Sequence, residues 1–266
     1  MDIALTTPIA TGRTAEIYAW PDHCVLKLYR DWCPTDWVEH ESTVAHAIVD
    51  AGIPAPAVGD LVIVNQRRGI IYERITGISM LHDMNAHPWT LFSHARNLAQ
   101  LQRKINALSV PGLGSYREGL KYAIQRAPHL TDPLREKLMQ NLAGLPDGDR
   151  VCHGDFHPDN VLITRKGPIV IDWMTASSGN PWADVARSSM ILSIGAKSAG
   201  RQLRPIIRTL IDLFHGAYLR QYMQDRPDGQ GELERWLPVI AGARLDEHIQ
   251  PETTALIELA GRALHQ

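Results

Sequence analysis

The chain has 266 residues, 44% of them hydrophobic and 21% charged, with a formal net charge of −2. This length supports one large domain or two small ones with cores of their own, and a near-neutral charge without a basic stripe leaves no footprint for nucleic acid. No apolar run approaches the ~18 residues that cross a bilayer, and residues 1–12 lack the features of a signal peptide. Cys24, Cys33 and Cys152 are irregularly spaced and set no disulfide framework. A cytoplasmic protein with reduced thiols is expected, bound to no membrane.

In chain order, Ala15–Trp20 and Cys24–Tyr29 are short β-rich runs separated by the turn signal Pro21-Asp22. Pro34-Thr35-Asp36 opens a helix that closes at Ala51-Gly52, with Pro54 and Pro56 beyond. Leu61–Asn65 and Gly69–Ile75 read as two further strands joined by Gln66-Arg67-Arg68. From about Ser79 the pattern becomes helical. Phe92, Ala95, Leu98, Ala99, Gln102, Ile105 and Leu108 recur at helical spacing, and Thr131-Asp132-Pro133 begins another helix as cap and first turn. A hairpin interrupts, with Val161–Ile163 and Ile169–Ile171 flanking Arg165-Lys166-Gly167. Helices resume at Asn180-Pro181, and Asp225–Gly231 reads as a loop. The expected fold class is therefore α+β: a small β-rich lobe, residues 1–76, followed by a large helical lobe, residues 77–266.

The densest chemistry lies in His153-Gly154-Asp155-Phe156-His157-Pro158-Asp159-Asn160, followed across the hairpin by Ile171-Asp172-Trp173. Asp155 and Asn160 stand five residues apart across a proline-containing turn, and Asp172 ends the second hairpin strand. Two carboxylates and an amide oxygen are hard donors that suit Mg²⁺ together with phosphate oxygens. Such a group can hold a metal on a nucleotide while one carboxylate accepts a hydroxyl proton.

In the first lobe, Lys27 interrupts the apolar strand Val25-Leu26-Lys27-Leu28-Tyr29. Kinases carry a phosphate-binding lysine on such a strand, paired with a glutamate of the next helix. Glu41, Val44, Ala45 and Ile48 fall at i, i+3, i+4 and i+7, which puts the Glu41 carboxylate on the apolar face. An acid there is costly unless paired, and Lys27 is its natural partner. Ser42 and His46 belong to the polar remainder. Thr11-Gly12-Arg13-Thr14-Ala15-Glu16 occupies the place of a glycine-rich loop with a single glycine, so amides near Gly12, helped by Thr14, are the candidates for phosphate contact.

The His153–Asn160 and Ile171–Trp173 segments resemble the catalytic core of the aminoglycoside phosphotransferase and choline kinase group, relatives of the protein kinases. The match is at His153, Gly154, Asp155, His157 and Asn160, then at Ile171, Asp172 and Trp173. The resemblance extends to Gly179-Asn180-Pro181-Trp182-Ala183-Asp184, and to Gly52-Ile53-Pro54-Ala55-Pro56 one helix length after Glu41. It implies the two-lobed protein-kinase-like fold, with Asp155 as catalytic acid/base and magnesium held by Asn160 and Asp172. It further implies that Asp184 braces the catalytic loop and that Glu73–Ile75 form a hinge whose backbone binds adenine.

Only eleven residues separate Asp172 from Asp184, and the Ala-Pro-Glu signature is missing, which disfavours a polypeptide substrate. The expectation is a kinase that transfers the γ-phosphoryl group of ATP or GTP to a small-molecule hydroxyl. From Met174 onward acids and bases balance, which disfavours a polycationic acceptor. Trp173, Trp182, Tyr218, Tyr222 and Trp236 either line a pocket or belong to the core. The alternatives are a metal-dependent hydrolase built on His153, Asp155 and His157, and a catalytically silent nucleotide-binding module.

Overall fold

A computed structural model describes residues 5–198 and 204–265; residues 1–4, part of the stretch read above for a leader, lie outside it, as do 199–203 and 266. The chain divides into two compact units. The first takes the N-terminal residues through His82 together with Val110–Leu113 and Asp159–Thr175, and the second takes Asp83–Ser109, Gly114–Pro158 and the chain from Ala176 onward. A single cut after residue 76 is thus replaced by a division that returns the 161–170 hairpin to the N-terminal unit.

The first unit is built on a five-stranded sheet of β1 (Ala10–Thr11), β2 (Ala15–Trp20), β3 (Cys24–Tyr29), β4 (Val58–Val64) and β5 (Arg67–Glu73), in the order β1-β2-β3-β5-β4. All of its pairings are antiparallel. Asp22 and His23 turn between β2 and β3 with φ of 57° each, and Asn65 and Gln66 turn between β4 and β5 with φ of 49° and 65°. Two left-handed residues are what a tight hairpin demands. Arg67 and Arg68, read above as loop from their polarity, therefore open β5. Arg67 donates to the carbonyls of Tyr29 (2.8 Å) and Leu28 (3.3 Å) and to Glu16 (2.8 Å), so its charge sits on an edge already rich in acceptors. Gly69 is needed by close approach, since a Cβ there would stand 2.6 Å from Leu26 Cδ1.

Strand parity sorts the residues of β3. Leu26 and Leu28 pack with Tyr18 and Val64 on one face, while Tyr29 packs with Ala15, Ile70 and Val38 on the other. Lys27 shares the second face. That face carries α1 (Thr35–Asp50), whose buried residues are Val38, Glu41, Ser42, Val44, Ala45 and Ile48. Ser42, assigned above to the polar side, belongs with the buried set, and its carbonyl bonds to His46 Nδ1 at 2.8 Å. A smaller sheet in the order β6-β8-β9 completes the unit from β6 (Ile78–Ser79), β8 (Val161–Thr164) and β9 (Gly167–Val170). The hairpin is tied to the segment after α1 by Val170 N–H donating to Pro54 O at 2.8 Å.

Helix α2 (Met80–Ala86) leads into the second unit, which holds α3 (Leu91–Ile105), α4 (Tyr116–Arg126), α5 (Asp132–Gly144) and the paired strands β7 (Arg150–Cys152) and β10 (Ser177–Gly179). Helix α6 (Pro181–Met190) is capped by Asn180, whose side chain accepts from Trp182 N–H, and runs through a π-helical turn into α7 (Ala196–Ser198). The chain then forms α8 (Pro205–Tyr222), α9 (Gly229–Arg244) and α10 (Thr253–Gly261). Helix α9 packs against α4, α5, α6 and α10, and α3 packs against α8. Phe92 and Leu108 share the apolar spacing of the stripe, but Phe92 faces outward and Leu108 lies beyond the helix end, both exposed. The loop expected over Asp225–Gly231 is shortened, because α9 begins at Gly229. Tyr218, Tyr222, Trp236 and Trp173 are core residues, and Trp182 is half-buried. No helix among the described residues is long and apolar enough to cross a membrane.

Candidate active site

Lys27 on β3 donates to Glu41 Oε1 of α1 at 2.6 Å and to Asp172 Oδ1 at 2.9 Å. The first contact is the pairing that the apolar placement of Glu41 demanded. Glu41 is 1% exposed, and an acid so buried persists because its partner carries the opposite charge. Burial works to lower the Lys27 pKa, but the charges of Glu41 and Asp172 and the hydrogen bonds they accept outweigh it and push it up to about 12. Tyr72 on β5 adds a third interaction, its hydroxyl donating to Glu41 Oε1 at 3.1 Å. Tyr29, two residues from Lys27 on the same face, lies beside the same carboxylate, and burial followed by the nearby Glu41 charge raises its pKa. Neither tyrosine was identified as a site residue, because the signal is shared strand parity on two strands far apart in sequence.

Asp172 follows β9 in a left-handed conformation, φ 64°, which a non-glycine residue rarely adopts and which clusters at functional sites. Its side chain is 44% exposed, with one oxygen given to Lys27. Asn160 ends a short 3₁₀ turn, Pro158–Asn160, and its carbonyl accepts from Ile171 N–H at 3.0 Å, which fastens the turn to the residue before Asp172. The Asn160 amide and the Asp172 carboxylate are oxygen donors, a chemistry suited to a hard divalent cation.

At the loop between β1 and β2, Gly12 N–H donates to Ala15 O at 2.9 Å. The Gly12 amide thus closes the hairpin. The loop carbonyls converge on Arg30. Its Nη2 donates to Gly12 O (3.2 Å), its Nε to Arg13 O (3.1 Å) and its backbone N–H to Thr14 O (2.9 Å). At the end of β5, Glu73 N–H donates to Ala57 O (2.8 Å) and Arg74 N–H to His23 O (2.9 Å), while the Glu73 carboxylate accepts from Ala57 N–H (3.2 Å). A cavity of about 420 Å³ opens beside this segment, lined by His23, Arg74, Ile75, Thr76 and Gly77.

Asp155 is carried by the second unit, half-buried, after Gly154 with φ 77°. Burial works to raise the Asp155 pKa, but the hydrogen bond and charge of His157, with Arg187 and His153, hold it well below the usual carboxylate range. His153 is fully buried, its Nδ1 accepts from Asp155 N–H at 3.2 Å, and its ring meets Phe156 edge-on at 5.6 Å. That places His153 in the frame of the loop. Among the described residues, no three His, Cys, Asp or Glu side chains gather as a metal site.

Asp184 braces this loop from the first turn of α6. Its Oδ1 accepts from Gly154 N–H at 2.8 Å, and its Oδ2 accepts from Gln102 (2.9 Å) and Asn106 (3.0 Å) of the α3 end. Tyr218 and Tyr222 of α8 donate to the amide oxygens of Gln102 and Asn106. The carboxylate is fully buried, and its two oxygens accept three donors, as a buried polar group requires. Arg187, one turn later, donates to Gly154 O and pairs with Glu247 at 2.5 Å. None of these partners carries a local signal in the sequence beyond the place of Gln102 in the helical stripe.

The sequence model of the phosphotransferase enzyme family matches residues 7–222. A curated protein of Rattus norvegicus, acyl-CoA dehydrogenase family member 11, is 26% identical over 128 residues; that region is 47% of this chain and only 15% of the rat protein's length. Among solved structures, an aminoglycoside-3'-phosphotransferase of type VIII is similar at 18% identity, with a TM-score of 0.60 over 89% of this chain and 92% of the other. An amicoumacin kinase in complex with AMP-PNP, Ca²⁺ and Ami gives 14% identity and a TM-score of 0.63 over 97% of this chain and 87% of the other. These likenesses establish the protein-kinase-like fold.

Proposed function

The chain belongs to the phosphotransferase enzyme family, and from that premise we propose that it transfers the γ-phosphoryl group of ATP or GTP to a hydroxyl of a small molecule. The observation that carries this reading is the placement of Lys27, held at 2.6 Å by Glu41 and at 2.9 Å by Asp172. A lysine fixed between a helix glutamate and the acid after the hairpin is the arrangement that kinases use to hold nucleotide phosphates. Lys27 would contact the phosphates, with Thr14 at the β1–β2 loop. The sheet uses the Glu73 and Arg74 amides, so Ile75 N–H is the hinge donor assigned to the base, with the Glu73 carbonyl beside it.

The donor set fits magnesium, since Asn160 and Asp172 offer oxygen only and Asp172 keeps its second oxygen beyond the one given to Lys27. Bound there, the ion would neutralise charge on the nucleotide phosphates. AMP-PNP and Ca²⁺ in the structural relative named above support nucleotide and divalent-ion use. Asp155 takes the acceptor hydroxyl. With its carboxyl held well below the usual range, it is a weak base, so its main contribution is to orient the hydroxyl and to accept the proton as the new bond forms.

We read the acceptor as neutral or modestly charged. Carboxylates near the C-terminus already have basic partners: Asp246 with Arg126 at 3.6 Å, Glu247 with Arg187 at 2.5 Å, and Glu252 with Arg244 at 2.6 Å. A polycation would have to displace an arginine from each. The test is a nucleotide-consumption screen of the purified protein against sugars, amino alcohols, aminoglycosides and macrolides, with Asp155→Asn as control. Transfer to one class by the wild type alone supports the reading. Phosphate arriving on a protein but on no small alcohol refutes it.

A further inference from the structure

The β1–β2 loop has one glycine where a phosphate-covering loop ordinarily has three, and its Gly12 amide is spent on Ala15 O. We infer that Arg30, the residue after β3, is the positioning residue that replaces the missing glycines, fixing the peptide planes at the tip of this loop so that the Thr14 N–H and hydroxyl can receive a phosphate. The inference rests on the nucleotide reading above and names a residue that reading does not use.

Guanidinium bonds from Arg30 reach Gly12 O at 3.2 Å and Arg13 O at 3.1 Å, while the Arg30 backbone N–H reaches Thr14 O at 2.9 Å. Cys33 Sγ adds a contact to Thr14 O at 3.3 Å. In a planar trans peptide the C=O and N–H groups point in opposite directions. Carbonyls of Gly12 and Arg13 turned toward Arg30 therefore turn the N–H groups of Arg13 and Thr14 away from it, to one side. Successive amides facing one side form an anion-binding concavity. Glycine-rich loops reach such geometry through conformational freedom; here a side chain imposes it from behind.

The arginine is itself held. Its Nη1 lies 3.7 Å from Glu16 Oε1, and Glu16 Oε2 accepts from Arg67 at 2.8 Å. Arg67 is anchored on the Tyr29 and Leu28 carbonyls, so the chain of contacts runs from the body of β3 through Glu16 to the loop tip. A lysine at position 30 would keep the charge but not the fork that spans two adjacent carbonyls.

The test compares ADP with adenosine, because the loop concerns phosphate and not the base. Dissociation constants for both are measured with the full chain, for wild type, Arg30→Met and Arg30→Lys, with Tm recorded for each. A lost pair of charge-assisted bonds predicts an ADP affinity about tenfold weaker in Arg30→Met, with adenosine affinity unchanged. Arg30→Lys should lie between, and added guanidinium should restore part of the loss in Arg30→Met. ADP binding unchanged in both variants overturns the inference, as does an equal loss for ADP and adenosine, which marks general damage to the unit. Wild-type protein that binds neither ligand removes the nucleotide reading and this inference with it.

Discussion

Replacing Glu41 by Gln removes the buried charge opposite Lys27 while keeping the shape of the side chain. At 2.6 Å and an effective dielectric near 20, the pair is worth about 6 kcal/mol in Coulomb terms alone. Most of that offsets desolvation, and Asp172 at 2.9 Å remains to Lys27. The net loss should therefore fall below the ~3–5 kcal/mol seen when a buried charge loses its only partner, at about 2 kcal/mol. The Lys27 pKa, raised from 10.5 to about 12 by Glu41 and Asp172 together against the pull of burial, corresponds to about 2 kcal/mol for the two contacts combined. Because the folded value is raised, this stabilisation is complete below pH 10.5 and is lost as pH rises through about 12. Thermal unfolding of wild type and Glu41→Gln should thus differ by several degrees at pH 8, and the difference should shrink above pH 10.5. The nucleotide KM of the variant should rise at least tenfold, because Lys27 is no longer held in one position. An unchanged Tm and nucleotide KM would refute the reasoning, and so would a stability difference indifferent to alkaline pH.

Asp155→Asn should lower turnover on the order of 10²- to 10⁴-fold while leaving the affinity for magnesium and ADP nearly intact; equal turnover with the identified acceptor would defeat the assigned role. Asp172→Asn should instead weaken binding of the metal–nucleotide pair, read as a higher Mg²⁺ requirement in titrations, and an unaltered Mg²⁺ dependence would count against it. In Asp184→Asn an amide NH₂ must face either Gly154 N–H or the Gln102 and Asn106 amides. Two donors left against each other in the core should cost about 3 kcal/mol, and calorimetry showing no drop in Tm would contradict the bracing role.

Much of the candidate site was legible because its signals are short-range. A lysine inside the apolar run Val25–Tyr29 and a helical period that sets Glu41 among Val44, Ala45 and Ile48 are local patterns, and the two meet at 2.6 Å. The ordered string His153–Asn160 and the turn before Trp173 are likewise contiguous, so their family resemblance survives without any knowledge of packing. Where polarity was the only guide, the reading slipped. Arg67 and Arg68 look like loop, yet left-handed Asn65 and Gln66 make the whole turn, and Ser42 looks exposed although it lies on the buried face of α1.

By itself the sequence determined an α+β chain with a lysine strand, a glutamate helix and one acid-rich loop, since periodicity and spacing are properties of neighbouring residues. Only the tertiary structure decided which distant groups complete them. Asp172 reaches Lys27 from 145 residues away, Tyr72 reaches Glu41 from 31, and Gln102 and Asn106 reach Asp184 from 82 and 78. Any of these side chains has many chemically acceptable partners. Which one it takes follows from how strands and helices pack, and a hydrogen bond made in a dry core tolerates only the partner that packing delivers within about 3 Å.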